Sequence, residues 1–204
     1  EAEILYRETL KTRERVLGLE HIDTAGSMNN LASLLMDKGE NDEAEILYRE
    51  TLKTRKLVWG REHPGTFLSI KNLVSLLEDK GENVEAEILY REMLDVGERI
   101  YGSEDDYVYR IKQNFAVFLR DNSDRSEEAI PILEEILIFR RKQNNQKDLS
   151  SILTALGTSY GKCKFFNEAI NMLQESINIR RELLKNGYLS KEPLIASLKR
   201  LLDI

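Results

Sequence analysis

Residues 1–13 read EAEILYRETLKTR, and the same thirteen letters return unchanged at residues 43–55. The first eight of them, EAEILYRE, appear a third time at residues 85–92, so the repeat period is 42 residues. LASLL at 31–35 returns as LVSLL at 73–77, one period later. An internal repeat of this length predicts an array of equivalent structural units that stack on one another.

Two weaker copies of the repeated motif follow, EEAIPILEEIL at 127–137 and NEAINMLQESI at 167–177. They extend the repeat to nearly the whole chain. We therefore expect residues 1–204 to form a single array that is cut within a repeat at both ends and comes from a longer protein. Its expected divisions are a half-repeat at 1–17, repeats at 18–60, 61–102, 103–146 and 147–187, and a half-repeat at 188–204.

Each period divides into two predicted helices. The first covers about 23–38, where apolar residues recur at three- and four-residue spacing, and the second covers about 43–58. Gly39 is expected to end the first helix in a left-handed conformation. Pro64 falls where the next helix begins, at a position whose N–H would be unpaired in any case. The sequence thus predicts an all-α protein of about nine helices without strands.

The residues Leu156-Gly157-Thr158-Ser159-Tyr160, followed by Ala169 and Leu173, match the tetratricopeptide pattern L-G-x-x-Y…A-x-x-x-F. The tryptophan of that consensus is absent. With its 42-residue period and its Glu-Ala-Glu-x-Leu-Tyr-Arg motif, the chain resembles the kinesin light chain group of tetratricopeptide repeats. The resemblance implies a right-handed superhelical α-solenoid built from antiparallel helix pairs.

The net charge is −6, and it is distributed unevenly, with −8 over residues 1–126 and +2 over residues 127–204. An acidic chain without a dense basic stripe is a poor ligand for a phosphate backbone, so nucleic acid is not an expected partner. No apolar run approaches the ~20 residues that span a bilayer, and no membrane association is expected. The single cysteine, Cys163, favours a reducing compartment, and we expect the cytoplasm.

The sequence contains no recognisable catalytic site. Its two histidines, His21 and His63, lie one period apart, which places them about one helix spacing, ~10 Å, from each other. That separation is too large for a shared metal ion, so we predict that they structure their loops. We expect Cys163 to be a half-exposed structural thiol. Without a phosphate loop or a nucleophile motif, the chain is predicted to be neither an enzyme nor a cofactor-binding protein.

The resemblance also implies that the first helix of each repeat lines a concave groove. Asn30, Asn72 and Asn114 recur there at 42-residue steps, and asparagines at this position contact bound peptides in kinesin light chains. A side-chain amide can both donate to and accept from a peptide backbone. The alternative is that each asparagine bridges adjacent helices. Ala155 takes this position in the fourth repeat and ends the row.

Three cations in the same predicted groove, Lys71, Arg110 and Arg200, favour a partner with an acidic segment, although all three are also compatible with a simply solvated face. The full set of predicted peptide-binding residues is Asn29, Asn30, Ser33, Lys71, Asn72, Ser75, Arg110, Gln113, Asn114, Thr154 and Arg200.

These observations predict a protein–protein interaction scaffold that holds a peptide or helix of its partner in the groove. An alternative is a ligand-sensing, regulatory repeat region of a larger signalling protein. Modular RNA binding by helical repeats would need a basic face, which the acidic balance disfavours. Self-association through the two cut ends, or fraying of residues 1–15, is a further expectation.

Overall fold

The computed structural model describes residues 1–122, 125–143 and 145–202, and these residues contain ten α-helices and no β-strand. The all-α prediction is confirmed. The count exceeds the predicted nine because four helix pairs and both terminal half-repeats are helical. The helices are α1 (Ala2–Leu17), α2 (Ile22–Asp37), α3 (Asn41–Trp59), α4 (Pro64–Lys80), α5 (Asn83–Tyr101), α6 (Asp106–Asn122), α7 (Ser126–Gln143), α8 (Gln146–Lys162), α9 (Phe166–Lys185) and α10 (Glu192–Leu202).

The chain forms two compact units, Glu1–Asp105 with helices α1 to α5 and Asp106–Ile204 with helices α6 to α10. Within each unit, helices that are consecutive in sequence pack against one another. Most of the connections between them are only a few residues long, so neighbouring helices run antiparallel. The helices alternate between the first type (α2, α4, α6, α8, α10) and the second type (α1, α3, α5, α7, α9).

The helix ends follow the predicted signals. Gly39, just after α2, has a φ of 80°, a conformation that side chains with a Cβ rarely adopt. Pro64 is the first residue of α4, as predicted. His21 and His63 precede α2 and α4, where Nδ1 accepts a hydrogen bond from the backbone N–H two residues later, at 3.2 and 3.0 Å. The two histidines thus structure the starts of these helices.

Small residues allow the two helices of a pair to approach closely. Ala32 on α2 and Ala44 on α3 are both completely buried. In the second unit the approach is closer still, since a Cβ at Gly157 would lie 2.8 Å from Cγ of Leu173 and 3.1 Å from the carbonyl oxygen of Ala169. Only glycine fits between α8 and α9 at this point without a shift of one helix.

An arginine near the end of a second-type helix ties that helix to the next first-type helix. Nη1 of Arg55 on α3 donates to the carbonyl oxygen of Gly65 at 3.0 Å and to Oγ of Ser69 at 2.8 Å. Arg13 on α1 makes the equivalent pair of bonds to α2, at 2.8 and 2.9 Å. Arg180 does the same between α9 and α10, at 2.6 and 2.5 Å. Donation from a guanidinium to a carbonyl oxygen and a hydroxyl gives charge-assisted hydrogen bonds between successive helices.

Ion pairs connect the second-type helices of the first unit to one another. Arg7 on α1 binds both carboxylate oxygens of Glu43 on α3, at 2.6 and 2.8 Å. Arg49 on α3 binds Glu85 on α5 in the same bidentate manner. The spacing is 36 residues because the arginine is the seventh residue of EAEILYRE and its partner is the first residue of the next copy. The repeated motif is therefore complementary to itself from one copy to the next.

Identical residues in α1 and α3 have different surroundings, which yields a test of the packing. Tyr48 is 2% exposed beneath α2, whereas Tyr6, in the same sequence context on α1, is 38% exposed. We expect Tyr48→Ala to lower the free energy of unfolding by about 3 kcal/mol, and Tyr6→Ala to lower it by less than about 1 kcal/mol. Urea denaturation of both variants measures the difference. Equal losses would show that α1 is covered in solution, as self-association through residues 1–15 requires.

The ion pairs between helices of the first unit predict a loss of stability in acid. Three glutamates have a carboxyl pKa below its ordinary value because each one binds a cation. The pairs are Glu43 with Arg7, Glu45 with Lys80 and Glu85 with Arg49. A carboxyl whose pKa is lower in the folded state stabilises the fold above its unfolded pKa, ~4.3, and this contribution disappears as the pH falls through the folded pKa. We therefore expect the free energy of unfolding to decrease between about pH 5 and pH 3.

The matched comparison for this prediction uses two glutamates. Glu85→Gln should lower the free energy of unfolding by about 1 kcal/mol at pH 7. It should also make this free energy depend less steeply on pH, because one carboxyl with a lowered pKa is removed. Glu104→Gln is the control, since Glu104 is exposed and forms no ion pair among the described residues. An identical pH dependence in both variants would contradict a role for the Arg49–Glu85 pair.

Candidate functional site

In the first unit, the predicted groove residues lie on α2 and α4, which contact each other. Four of the six side chains are exposed to solvent, and the remaining two, Asn29 and Asn72, are half-buried. The exposed four are Asn30, Ser33, Lys71 and Ser75. These residues follow one another along each helix at three- and four-residue spacing, so each helix presents them as one stripe.

Asn72 does not present a free amide. Its Nδ2 donates to Oδ1 of Asn29 at 3.0 Å, which links α4 to α2. At this position the structure shows the bridging role that was the alternative to peptide contact. One N–H of Asn72 and its carbonyl oxygen remain without a bond among the described residues, so the bridge uses only part of the amide.

Asn30 and Lys71 differ from Asn72 in this respect. Both are exposed, and neither side chain forms a hydrogen bond or ion pair with another described residue. Ser33 and Ser75 are exposed as well. Asn30 and Lys71 are therefore the amide and the cation of this stripe whose full polar capacity is available to a ligand.

A large apolar side chain accompanies these polar groups. Leu68 on α4 is 47% exposed, one helical turn before Asn72. Among the described residues of α2, α4, α6 and α8, it is the only large apolar side chain that is exposed. The face formed by α2 and α4 thus combines an amide, an ammonium group and an isolated apolar side chain.

The second unit places its predicted residues on α6, α8 and α10. Arg110, Asn114 and Arg200 are exposed, and Gln113 is half-buried. Asn114 has no side-chain hydrogen bond to a described residue, whereas Nη1 of Arg200 donates to the carbonyl oxygen of Ala196 at 3.4 Å, within its own helix. Asn114 is consequently the counterpart of Asn30 in this unit.

Thr154 was predicted to line the groove, and that placement is wrong. The side chain is only 7% exposed. Its hydroxyl donates to the carbonyl oxygen of Ser150 at 2.9 Å and lies 2.8 Å from Oγ of Ser176 and 3.3 Å from Oγ of Ser197. Thr154 and Ser197 are 43 residues apart, as are Asn29 and Asn72, so a pair of hydroxyls takes the place of the amide bridge.

The other chemically active side chains occupy structural positions. Cys163 is half-buried, and the imidazole of His63 stacks on the indole of Trp59 with ring centroids 4.1 Å apart. Within the described parts of the chain, no three His, Cys, Asp or Glu side chains lie close enough together to hold a metal ion. None of the helices in these parts is both long enough and apolar enough to cross a membrane.

Comparison of the structure with solved structures shows the same fold in other repeat proteins. BtubC (BKLC) from P. vanneervenii is 27% identical, with a TM-score of 0.76, over 93% of this chain and 75% of that chain. The putative kinesin light chain repeats of Podosopora anserina are 20% identical, with a TM-score of 0.81, over 89% and 87% of the two chains. YrrB, described as a tetratricopeptide protein with an unusual peptide-binding site, is 14% identical, with a TM-score of 0.53, over 95% and 90%.

Sequence comparison identifies the family. No curated protein matches the chain. The model of the tetratricopeptide repeat family matches residues 1–23, 24–65, 66–106 and 149–187, which together make up more than half of the chain. These matches confirm the predicted tetratricopeptide repeats, and together with the similarity to the Podosopora anserina repeats they confirm the predicted resemblance to the kinesin light chain group. The chain therefore belongs to the tetratricopeptide repeat family.

Proposed function

We propose that the protein is an interaction scaffold that binds a peptide segment of its partner on the exposed faces of the first-type helices. The observation that carries this proposal is the repetition of an unpartnered, exposed amide at one repeat position, Asn30 in the first unit and Asn114 in the second. An exposed amide that makes no bond within its own protein can pair with both the N–H and the C=O of an extended peptide.

Charge and fold both support this function. Lys71 on α4 is an exposed cation without an ion-pair partner among the described residues, and it favours a partner segment with carboxylates. The fold is one that can accept a peptide, since YrrB is described as having a peptide-binding site. Tetratricopeptide repeats are in general non-catalytic scaffolds, and we assign no reaction to the chain.

The amides of α2 provide the first test of the proposed function. Asn30→Ala should weaken binding by about tenfold and leave the melting temperature unchanged, because the Asn30 side chain has no partner among the described residues. Asn29→Ala should instead lower stability by about 1 kcal/mol, because it removes the acceptor of the Asn72 bridge. Calorimetry with peptides selected from a displayed random library measures the first effect, and thermal melts measure the second. Unchanged affinity in Asn30→Ala would contradict the proposal.

Lys71 provides an electrostatic test. Lys71→Glu should weaken the binding of an acidic selected peptide by about tenfold at low salt and by much less at 0.5 M salt, where charges are screened. Arg61→Glu makes the same charge change on an exposed residue in the turn before α4, away from the groove stripe, and should have little effect. A similar loss in both variants would mean that net charge, rather than the α2–α4 face, controls binding.

A further inference from the structure

His63 holds the first turn of α4 through one atom of its imidazole. It is the N-cap residue of the helix, and its Nδ1 accepts a hydrogen bond from the backbone N–H of Gly65 at 3.0 Å. Nδ1 can accept this bond only while it carries no proton, because a protonated imidazole has an N–H at both ring nitrogens. The third copy of the loop has Asp105 at this position, and an aspartate keeps its acceptor oxygens at neutral pH. The start of α4 thus depends on a type of side chain that can change its charge near neutral pH.

Trp59 and Gly65 both contact this imidazole. The indole of Trp59, at the end of α3, stacks on the ring with centroids 4.1 Å apart. A Cβ at Gly65 would lie 2.2 Å from Cζ3 of Trp59 and 3.2 Å from Nδ1 of His63. Any side chain at Gly65 would therefore require the indole to move. The three residues form one packed unit that joins the end of α3 to the start of α4.

His21 begins α2 in the same way, but it has a different neighbour. Its Nδ1 accepts a hydrogen bond from the N–H of Asp23 at 3.2 Å, and Oδ2 of Asp23 lies 3.8 Å from the same nitrogen. A protonated His21 would exchange its hydrogen bond for an ion pair with that carboxylate. Gly65 is the counterpart of Asp23 one period later, so His63 has no carboxylate at this position.

The charged groups around the His63 ring are mainly cations. They come from three elements, with Arg55 on α3, Arg61 and Glu62 in the turn before α4, and Arg99 on α5. Glu62 is the one carboxylate of this set, and Nη1 of Arg99 already lies 3.5 Å from it. The indole of Trp59 attracts cations, but the guanidinium of Arg55 lies 5.6 Å from its ring centroid. A proton on His63 is thus added among cations, at the positive end of the α4 dipole.

We propose that His63 is a pH-sensitive latch, which releases the start of α4 when its imidazole takes up a proton. Protonation removes the hydrogen bond from the N–H of Gly65 and leaves a cation at the helix N-terminus. The stabilisation is present while the ring is unprotonated, and it is lost as the pH falls through the range in which an imidazole takes up a proton, about pH 7.5 to 5.5. The latch acts on the helix that carries Lys71 and Asn72, and it does not depend on peptide binding.

Thermal melts at about pH 7.5 and about pH 5.5 test the latch, because the glutamates of the first unit titrate below this range. The melting temperature of the unaltered chain should fall by about 2–4 °C between the two conditions. His63→Asn should remove most of this decrease, because an asparagine oxygen accepts the same bond and does not titrate. His63→Asp, which introduces the residue type found at position 105, should have the same effect. His21→Asn is the matched control and should keep the decrease, because Asp23 compensates a protonated His21.

Two local measurements report on the latch itself. Trp59 is the only tryptophan of the chain, so its fluorescence emission should change between the two conditions in the unaltered protein and stay constant in His63→Asn. The hydrogen-exchange protection factor of the Gly65 N–H should fall about fivefold at the lower pH in the unaltered protein alone.

The opposite results would overturn the latch. A decrease in melting temperature that persists in both His63 variants would place its origin elsewhere, and one that disappears equally in His21→Asn would show that the effect is not specific to α4. A constant protection factor at Gly65 in the unaltered protein would mean that the helix start stays closed when the imidazole is protonated.

Discussion

The apolar face of each helix pair is buried only by its neighbours in the array, and the rest of the structure depends on this constraint. The two copies of EAEILYRETLKTR show it directly, since the same tyrosine is 2% exposed in α3 and 38% exposed in α1. Burial is therefore a property of the position in the stack rather than of the local sequence. The arginines that reach from one helix to the next, and the self-complementary Arg–Glu pairs, provide the polar contacts that fix the stacking.

Most of the fold could be predicted from the sequence because its determinants are local and repeated. The period predicted the helix pairs, and Gly39 and Pro64 predicted helix ends. Gly157 is a clear case, because the recognised motif places it where a Cβ would collide with Leu173. The roles of His21 and His63 could also be predicted, because each recurs at the same place in a loop.

The candidate site was less predictable because it depends on contacts between repeats. An asparagine at the groove position can form a bridge only if the residue 43 positions earlier in the chain offers a partner. Asn72 is the only one of the three asparagines with an amide at that distance, the side chain of Asn29. Thr154 was misplaced for the same reason, since serines from α9 and α10 enclose its hydroxyl. The 36-residue spacing of the Arg–Glu pairs was available in the sequence, and it could have been found by comparing each motif with its next copy.

The two helix types of the first unit differ in how closely their sequences repeat. The second-type helices α1 and α3 share twelve consecutive identical residues, 2–13 and 44–55, whereas eight of the sixteen positions differ between residues 22–37 of α2 and the corresponding residues 64–79 of α4. At two of the differing positions a half-buried residue of α2, Gly26 or Asn29, corresponds to an exposed residue of α4, Leu68 or Lys71. Uniform second-type helices keep the stacking geometry constant, so side chains on the first-type helices can differ without disturbing it. Under the proposed function, a partner would meet a different chemical surface at each repeat on a constant frame, which would allow an array of near-identical units to recognise a particular segment.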